Sequence, residues 1–187
     1  MGKKTDHIAP YLQEFIAEQK IFFVGTAAPE GRVNVSPKGL DSLRVLNENE
    51  VIWLNLTGSG NETAAHLLEN DRMTIMFCAF EGKPLILRLY GNAAIYHDTD
   101  AEFTEYISHF PESDGSRQII KMQVDLVQTS CGFGVPLMDF KEDRDILTKW
   151  SQQKGENGIK QYWKEKNTTS LDGKSTEILE RSSLKDA

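Results

Sequence analysis

Apolar residues follow two different spacings along this chain, and these spacings predict its helices and strands. Ile8, Leu12, Phe15 and Ile16 recur at helical intervals, so an amphipathic helix is expected over residues 7–19. Apolar or alternating runs bounded by turn residues predict strands. These runs are "IFFVGTAA", "RVNVSPKG", "LRVL", "VIWLNL", "RMTIMFCAF", "LILRLYGNAAIYH" and "RQIIKMQVDLVQTS". The connections "PEG", "NENE" and "EGKP" are short, which favours antiparallel hairpins.

Further helices are predicted between and after the strands. One covers residues 61–70 and another is "DAEFTEYISHF", while "RDILTKWSQQKG" and "NGIKQYWKEKN" predict surface helices that end at Gly155 and Asn167. Because most strands are joined by turns, the pattern favours a mainly β (α+β) fold, an antiparallel β-barrel of about six strands with peripheral helices. Gly91 interrupts a long strand, where it predicts a bulge or tight bend.

The chain is expected to form one folded domain followed by a polar tail. Its 187 residues, of which 39% are hydrophobic, suffice for a single core, and we place this domain at residues 1–167. Residues 168–187 are rich in Ser, Thr, Lys and Asp and offer little to bury. We therefore expect a flexible C-terminal tail.

Charge and cysteine content narrow the expected partners. The net charge is −7 and Lys and Arg form no run longer than a pair, which argues against nucleic acid and an anionic membrane surface. Two cysteines suggest no disulfide framework, and "MGKKTDHIAPYL" lacks the apolar core of a signal peptide, so a cytoplasmic location is expected. A small anionic ligand is still compatible with this charge, because backbone amides can bind it locally.

The strongest candidate for a binding site is "WLNLTGSGNETAAHL", residues 53–67. An apolar strand stops at a Gly-Ser-Gly turn and a helix follows at once, which is a common arrangement for phosphate binding. Thr57, Ser59 and Thr63 add hydroxyl groups to the backbone donors there. Two other interpretations stay open. One is a dinucleotide fingerprint with Glu81 as its acid, although hairpins flank the motif; the other is a capped helix without a ligand.

Isolated polar groups mark two further stretches. In "NVSPKG", Pro37 indicates a strand edge or end, with Ser36 and Lys38 projecting at a rim. In "LILRLYG", Arg88 is the single charge of an apolar strand, so it is expected to meet solvent, an ion pair or an anion.

No catalytic or metal-binding arrangement is recognisable. Cys131 lies in the unusual loop "TSCGFGVP", but the sequence places no histidine beside it, so we interpret it as structural. Cysteine, histidine and acidic residues show no spacing typical of metal ligands, so no metal is expected. The sequence assigns no residue as a catalytic acid, base or nucleophile.

Four segments in order resemble one family. "FFVGTAAPEGRVNVSPKG", "VIWLNLTGSGNETAAHLLEND", "MFCAFEGKPLILRLYG" and "VQTSCGFGVPLM" are similar to the pyridoxamine 5′-phosphate oxidase-like proteins, the flavin-binding split-barrel group. The resemblance spans roughly residues 7–166. It implies a six-stranded split barrel and a homodimer that binds FMN at its interface.

The resemblance also implies where the cofactor binds. Ser36, Pro37 and Lys38 belong to the strand that would pass near the flavin ring and ribityl chain, and Arg88 would supply a polar contact across the dimer. The positions implied at the phosphate end are Trp53, Leu54, Asn55, Ser59, Gly60, Asn61 and Thr63.

The chain departs from the authentic oxidases at two places. Asn61-Glu62-Thr63 stands where those enzymes carry Ser-Arg-Lys, so Glu62 is expected to repel a phosphate or to turn outward. Their substrate-binding arginine and histidine pair is not recognisable in "QYWKEKNTTSLDGKS". We therefore expect an FMN-dependent oxidoreductase acting on an unidentified small molecule. The alternatives are pyridoxamine 5′-phosphate oxidase proper, or a non-catalytic protein that binds flavin, deazaflavin or haem.

Overall fold

The computed structural model describes residues 2–185 and contains one open antiparallel sheet with helices around it. The strands are β1 (Lys4–Thr5), β2 (Phe22–Thr26), β3 (Asn34–Lys38), β4 (Leu43–Asn47), β5 (Glu50–Leu56), β6 (Arg72–Cys78), β7 (Ile86–Tyr96) and β8 (Ser116–Ser130). The helices are α1 (Pro10–Glu18), α2 (Glu62–Glu69), α3 (Ala101–Ile107), α4 (Ile146–Lys166) and α5 (Ile178–Arg181). None of these helices has both the length and the apolar character needed to cross a membrane.

The strands pair in the order β3-β2-β6-β7-β8-β5-β4, and β1 adds to β8. All pairs are antiparallel, and the predicted hairpins β2–β3 and β4–β5 are both present. The ends of the path, β3 and β4, do not pair with each other among the described residues, which leaves the barrel split. The predicted fold class is confirmed. The structure has eight strands rather than about six. One of them, β1, has only two residues, which is too short to leave a recognisable sequence pattern.

The core lies on the inner face of this sheet, and α1 closes one side of it. Ile8, Leu12 and Ile16 pack against the apolar residues of the strands, as the helical spacing predicts. On the outer face, α3 covers a smaller cluster. The register shifts between Tyr90 and Gly91, which confirms the predicted bulge. A Cβ at Gly91 would lie 1.9 Å from the carbonyl oxygen of Gln123, so only glycine fits there.

The C-terminal segment folds back onto the domain. Gly155 interrupts α4 with a φ of 61°, so the two predicted helices are present as two halves of one kinked helix. The structure shows residues 168–185 packed against the domain, and the flexibility expected of this tail stays a prediction. Ile178 and Leu184 are buried against α4, and Thr176 donates a 2.5 Å hydrogen bond to the carbonyl oxygen of Asn167. These few apolar anchors and side-chain hydrogen bonds explain why a polar composition is compatible with a docked segment. Residues 186–187 lie outside the described residues.

Candidate functional site

A cleft of about 680 Å³ opens where β3, the end of β5, the start of β8 and the C-terminal segment meet. Its lining comprises four cationic side chains, two carboxylates and a group of small or neutral residues. The lining residues are Arg32, Val33, Asn34, Ser36, Lys38, Asn55, Leu56, Gly58, Ser59, Gly60, Asn61, Glu62, Thr63, Arg117, Lys166, Thr169, Ser170, Leu171 and Asp172. The cleft thus contains the Gly-Ser-Gly loop and is positively charged although the whole chain is acidic.

The loop between β5 and α2 forms the inner end of the cleft. Asn61 is the N-cap of α2, yet its side chain makes no capping hydrogen bond, and its Oδ1 atom has no partner among the described residues. A helix N-terminus leaves N–H groups without intrahelical partners and carries a partial positive charge. Asn61 and Thr63 are nearly fully buried, whereas Ser59 and Gly60 are exposed at the cleft.

Arg117 at the start of β8 is the most buried cation of the cleft, with 3% of its surface exposed. Its Nη1 atom donates hydrogen bonds to the carbonyl oxygen of Gly60, at 3.0 Å, and to Oδ1 of Asn167, at 2.7 Å. Its Nε atom has no hydrogen-bond partner within residues 2–185. Burial lowers the pKa of Arg117 to about 9, so the guanidinium keeps its charge at neutral pH. Both observed acceptors are neutral, which leaves this charge available to an anion.

Lys38 at the end of β3 lies over the ring of Trp53, with Nζ 4.8 Å from the ring centroid. Burial, and secondarily the charge of Arg117, lower the pKa of Lys38 to about 8. The alternation of β3 explains this placement. Asn34, Ser36 and Lys38 face the cleft, whereas Val35 is 65% exposed on the other side. The polar face of this strand therefore points inward, the reverse of an ordinary surface strand.

Several buried polar atoms near the cleft have no partner among the described residues. Besides Asn61 Oδ1 and Arg117 Nε, these are Ser36 Oγ and Nε2 of Gln118. Gln118 is fully buried and accepts a 3.0 Å hydrogen bond from Asn55, which lines the cleft. An unsatisfied buried polar atom is costly, so a cluster of them beside a cleft is typical of a site that holds a polar ligand.

A C-terminal strap, residues 167–175, crosses the mouth of the cleft. The backbone N–H of Leu171 donates to both carboxylate oxygens of Glu62, at 3.1 and 3.0 Å. Asp172 accepts hydrogen bonds from the backbone and from the guanidinium of Arg32, and these bonds hold the pKa of its carboxyl below the usual range. Lys174 pairs with Glu69 at 2.7 Å. The strap therefore binds one carboxylate of the cleft, Glu62, and supplies the other, Asp172.

The structure brings together seven of the residues that the sequence predicts for the site. These are Ser36, Lys38, Asn55, Ser59, Gly60, Asn61 and Thr63. Pro37 alternates to the outer face of the edge strand β3, and Trp53 lies beneath Lys38 in the core. Leu54 packs under α3 on the outer face of β5.

Arg88 lies away from the cleft of its own chain. Its Nη1 atom donates to Oγ of Ser130 at 3.2 Å, and it is paired in register with Gln128 near the far end of β8. About 35 Å of strand separate that position from Arg117. A contact from Arg88 across a dimer interface stays a prediction.

The cleft also contains residues that the sequence did not predict for the site, namely Arg117, Arg32, Lys166 and the strap. Arg117 could have been recognised from the sequence, because it is a charged residue at the start of an apolar strand that continues with Ile119 and Ile120. Arg88 is a comparable single charge within its own apolar strand. Nothing local marks Asn167 or Asp172, whose position depends on the return of the chain after α4. The dinucleotide-fold interpretation is wrong, since the sheet is antiparallel and Glu81 instead accepts a hydrogen bond from the backbone of Phe140.

Within residues 2–185, no three histidine, cysteine or acidic side chains are grouped as metal ligands. Cys78 is buried in the core, and Cys131 is exposed; neither forms a disulfide.

The open antiparallel sheet defines a split-barrel protein with a cationic cleft. A family model described as pyridoxamine 5′-phosphate oxidase matches residues 8–131. The pyridoxamine 5′-phosphate oxidase family protein ustO of Aspergillus flavus is 36% identical, in an alignment that covers 90% of this chain and 75% of that protein. The chain therefore belongs to the pyridoxamine 5′-phosphate oxidase family.

Solved structures support the fold alone. HupZ of Group A Streptococcus matches 64% of this chain and 91% of its own length, with a TM-score of 0.51 at 20% identity. A candidate pyridoxamine 5′-phosphate oxidase from Lactobacillus delbrueckii matches 66% of this chain and 94% of its own, with a TM-score of 0.53 at 14% identity.

Proposed function

We propose that this protein binds FMN in the cationic cleft and is a flavin-dependent oxidoreductase acting on a small molecule. The observation that carries the proposal is the convergence of the Gly58–Asn61 loop with Arg117, a buried guanidinium that has no carboxylate partner among the described residues. Members of the family typically bind flavin and commonly form dimers. We extend both properties, and a cytoplasmic location, to this chain.

The residues of the cleft fit the two ends of an FMN molecule. Backbone amides at the start of α2, the hydroxyls of Ser59 and Thr63 and the charge of Arg117 suit a phosphate. Ser36 and Lys38, across the cleft on β3, suit the ribityl chain and the polar edge of the ring. Bound flavin would supply the electron-transfer chemistry, while these side chains orient it and the strap shields it from water.

The alternatives differ in what they require of the cleft. Haem iron is held by histidine, cysteine, methionine or tyrosine, and none of these residues lines the described cleft. The phosphate end does not distinguish FMN from a phosphorylated deazaflavin, and a flavin-binding protein without turnover would have the same cleft. Pyridoxamine 5′-phosphate oxidation would require a second phosphate group to be held beside the flavin.

The proposal is tested by titrating the purified protein with FMN while recording visible absorption and flavin fluorescence. We expect a perturbed flavin spectrum, quenched fluorescence and about one FMN per chain. Parallel titrations with FAD and haem test the other ligands, and turnover with pyridoxamine 5′-phosphate tests the narrower activity. A spectrum that stays that of free flavin would refute the proposal.

Variants at Arg117 show whether the titration reports this cleft. Arg117→Met removes the charge and should weaken FMN binding at least tenfold, since a charged hydrogen bond contributes about 1.5–3 kcal/mol. Arg117→Lys keeps the charge and should bind with intermediate affinity. Arg144→Met is the matched control, because Arg144 is exposed and lies outside the cleft. Circular dichroism would verify that all three variants remain folded.

A further inference from the structure

Asn167 connects the strap to Arg117 and to the Gly58–Asn61 loop. The residue caps the C-terminus of α4 and is completely buried. Its Oδ1 atom accepts the 2.7 Å hydrogen bond from Arg117, and its Nδ2 atom donates to the carbonyl oxygen of Gly58 at 3.0 Å. Its own carbonyl oxygen accepts hydrogen bonds from the side chains of Asn61, at 3.4 Å, and Thr176, at 2.5 Å.

This arrangement fixes the direction of the Arg117 guanidinium. The same Nη1 atom bonds Asn167 and the carbonyl oxygen of Gly60, so the charged group is attached to the loop and to the strap at once. An amide orients a guanidinium without neutralising it, whereas a carboxylate at this position would compete with an anionic ligand.

A second, independent contact joins the end of α4 to Thr57, the residue just before the Gly58–Asn61 loop. Nε1 of Trp163 donates a 2.8 Å hydrogen bond to Oγ1 of Thr57, which in turn donates to the carbonyl oxygen of Gly115. Trp163 and Thr57 are both buried. These contacts come from residues beyond the part of the chain that the family model matches, which ends at residue 131.

We infer that Asn167 is a positioning residue of the ligand site, which orients Arg117 and the Gly58–Asn61 loop toward the phosphate group of the ligand. The inference rests on the proposed binding of FMN. If Asn167 has this role, the C-terminal segment is part of the ligand site, and Asn167 contributes to binding of the phosphate group in particular. The recognition of the flavin ring should not depend on it.

The test compares FMN with riboflavin, which has the same ring and ribityl chain but no phosphate. Asn167→Ala should raise the dissociation constant of FMN about tenfold and that of riboflavin less than twofold. Asn167→Asp keeps the shape and should also reduce the preference for FMN, because its charge offsets that of Arg117. Asn49→Ala is the matched control, since it removes an amide that bonds two backbone carbonyls outside the cleft. The control should leave the FMN-to-riboflavin ratio unchanged.

The outcomes separate this inference from the proposed function. If the unchanged protein binds neither flavin, the proposed function fails. If it prefers FMN and both Asn167 variants keep that preference, only the positioning role is overturned. A general loss of structure would weaken both ligands equally, and this result also overturns the role.

Hydrogen exchange on the unchanged protein gives an answer that does not depend on a variant. FMN should slow exchange in the strap, residues 167–175, more than riboflavin does. Equal protection by the two ligands would contradict the inference.

Discussion

Polar side chains facing inward distinguish this site at the scale of single residues. Arg117 and Gln118 are buried and carry atoms with no hydrogen-bond partner within residues 2–185, and Ser36 and Lys38 lie on the inner face of β3. Leaving such groups unsatisfied costs free energy, so a ligand that satisfies them gains affinity from the arrangement already present. The glycines beside these groups determine how closely a phosphate can approach.

Gly58 provides a test of that approach. A Cβ added there would meet no atom within 4 Å among the described residues, apart from its chain neighbours, and its φ is not in the left-handed region, so Gly58→Ala should fold normally. The new methyl group would occupy space at the cleft wall, and we expect FMN to bind at least fivefold more weakly. Gly134→Ala is the control, because it is equally unhindered and lies outside the cleft. Unchanged affinity in Gly58→Ala, measured by fluorescence quenching, would exclude this loop from the phosphate site.

The lowered pKa of Lys38 predicts a pH dependence of binding. With a pKa of about 8, Lys38 loses its charge as the pH rises from 7 to 8.5, a range in which the FMN phosphate stays a dianion. FMN affinity should therefore fall up to about fourfold across this range. Lys38→Arg should abolish the fall and keep the affinity, whereas Lys38→Ala should abolish the fall and bind weakly throughout. A pH dependence that persists in both variants would assign the titration to another group.

The lowered pKa of Lys38 also makes the stability of the ligand-free protein depend on pH. This stability should rise with pH, whereas FMN affinity should fall. The folded protein releases the Lys38 proton at a lower pH than the unfolded chain, whose ordinary lysine pKa is 10.5. The contribution of Lys38 to the free energy of unfolding should thus increase as the pH rises from about 8 toward 10.5. Thermal melting of the ligand-free protein and of Lys38→Arg would measure the difference.

At the scale of elements, local patterns were sufficient for the hairpins, the helix after the Gly-Ser-Gly turn and the bulge at Gly91. They were not sufficient for the site. Arg117 reaches the loop because β8 pairs with β5 across about 60 residues of chain, and alternation along β5 places Leu54 on the face away from the cleft. The strap could not be foreseen, since its hydrogen bonds are made by polar residues that have no periodic pattern.

The ion pair between Arg32 and Asp172 should slow the exchange of ligand through the cleft mouth. Asp172→Asn weakens the attachment of the strap, so we expect the rate of FMN dissociation to rise about two- to fivefold. Stopped-flow fluorescence would measure this rate. Asp41→Asn is the matched control, because Asp41 pairs with Arg44 at the surface and outside this cleft. Identical dissociation rates in Asp172→Asn and in the unchanged protein would show that the strap does not limit release.

At the scale of the whole molecule, the proposed homodimer would cover some of the large apolar side chains that a single chain exposes. Val35, Phe133 and Leu137 expose 65%, 82% and 78% of their surface. Apolar side chains of this kind are typical of an interface between chains where they form a contiguous patch. In a homodimer, Arg88 would be able to contact the cleft of the other chain. It lies away from the cleft of its own chain.

Light scattering at micromolar concentration should therefore give twice the mass of one chain. In that dimer, Arg88→Ala should lower FMN affinity several-fold, while Arg72→Ala, which removes an exposed arginine bonded to Asn70, should not. A monomeric mass would contradict the dimer. A dimer in which Arg88→Ala binds FMN normally would show that each cleft is complete without this residue.

The return of the strap across the cleft also sets an order of events during synthesis. All eight strands and the Gly-Ser-Gly loop precede Asn167 and Asp172 along the chain. A ribosome has therefore made the entire barrel before the residues that complete the cleft emerge, and domains commonly begin to fold during translation. Under the proposed function, the complete flavin site can therefore form only after the strap has been translated.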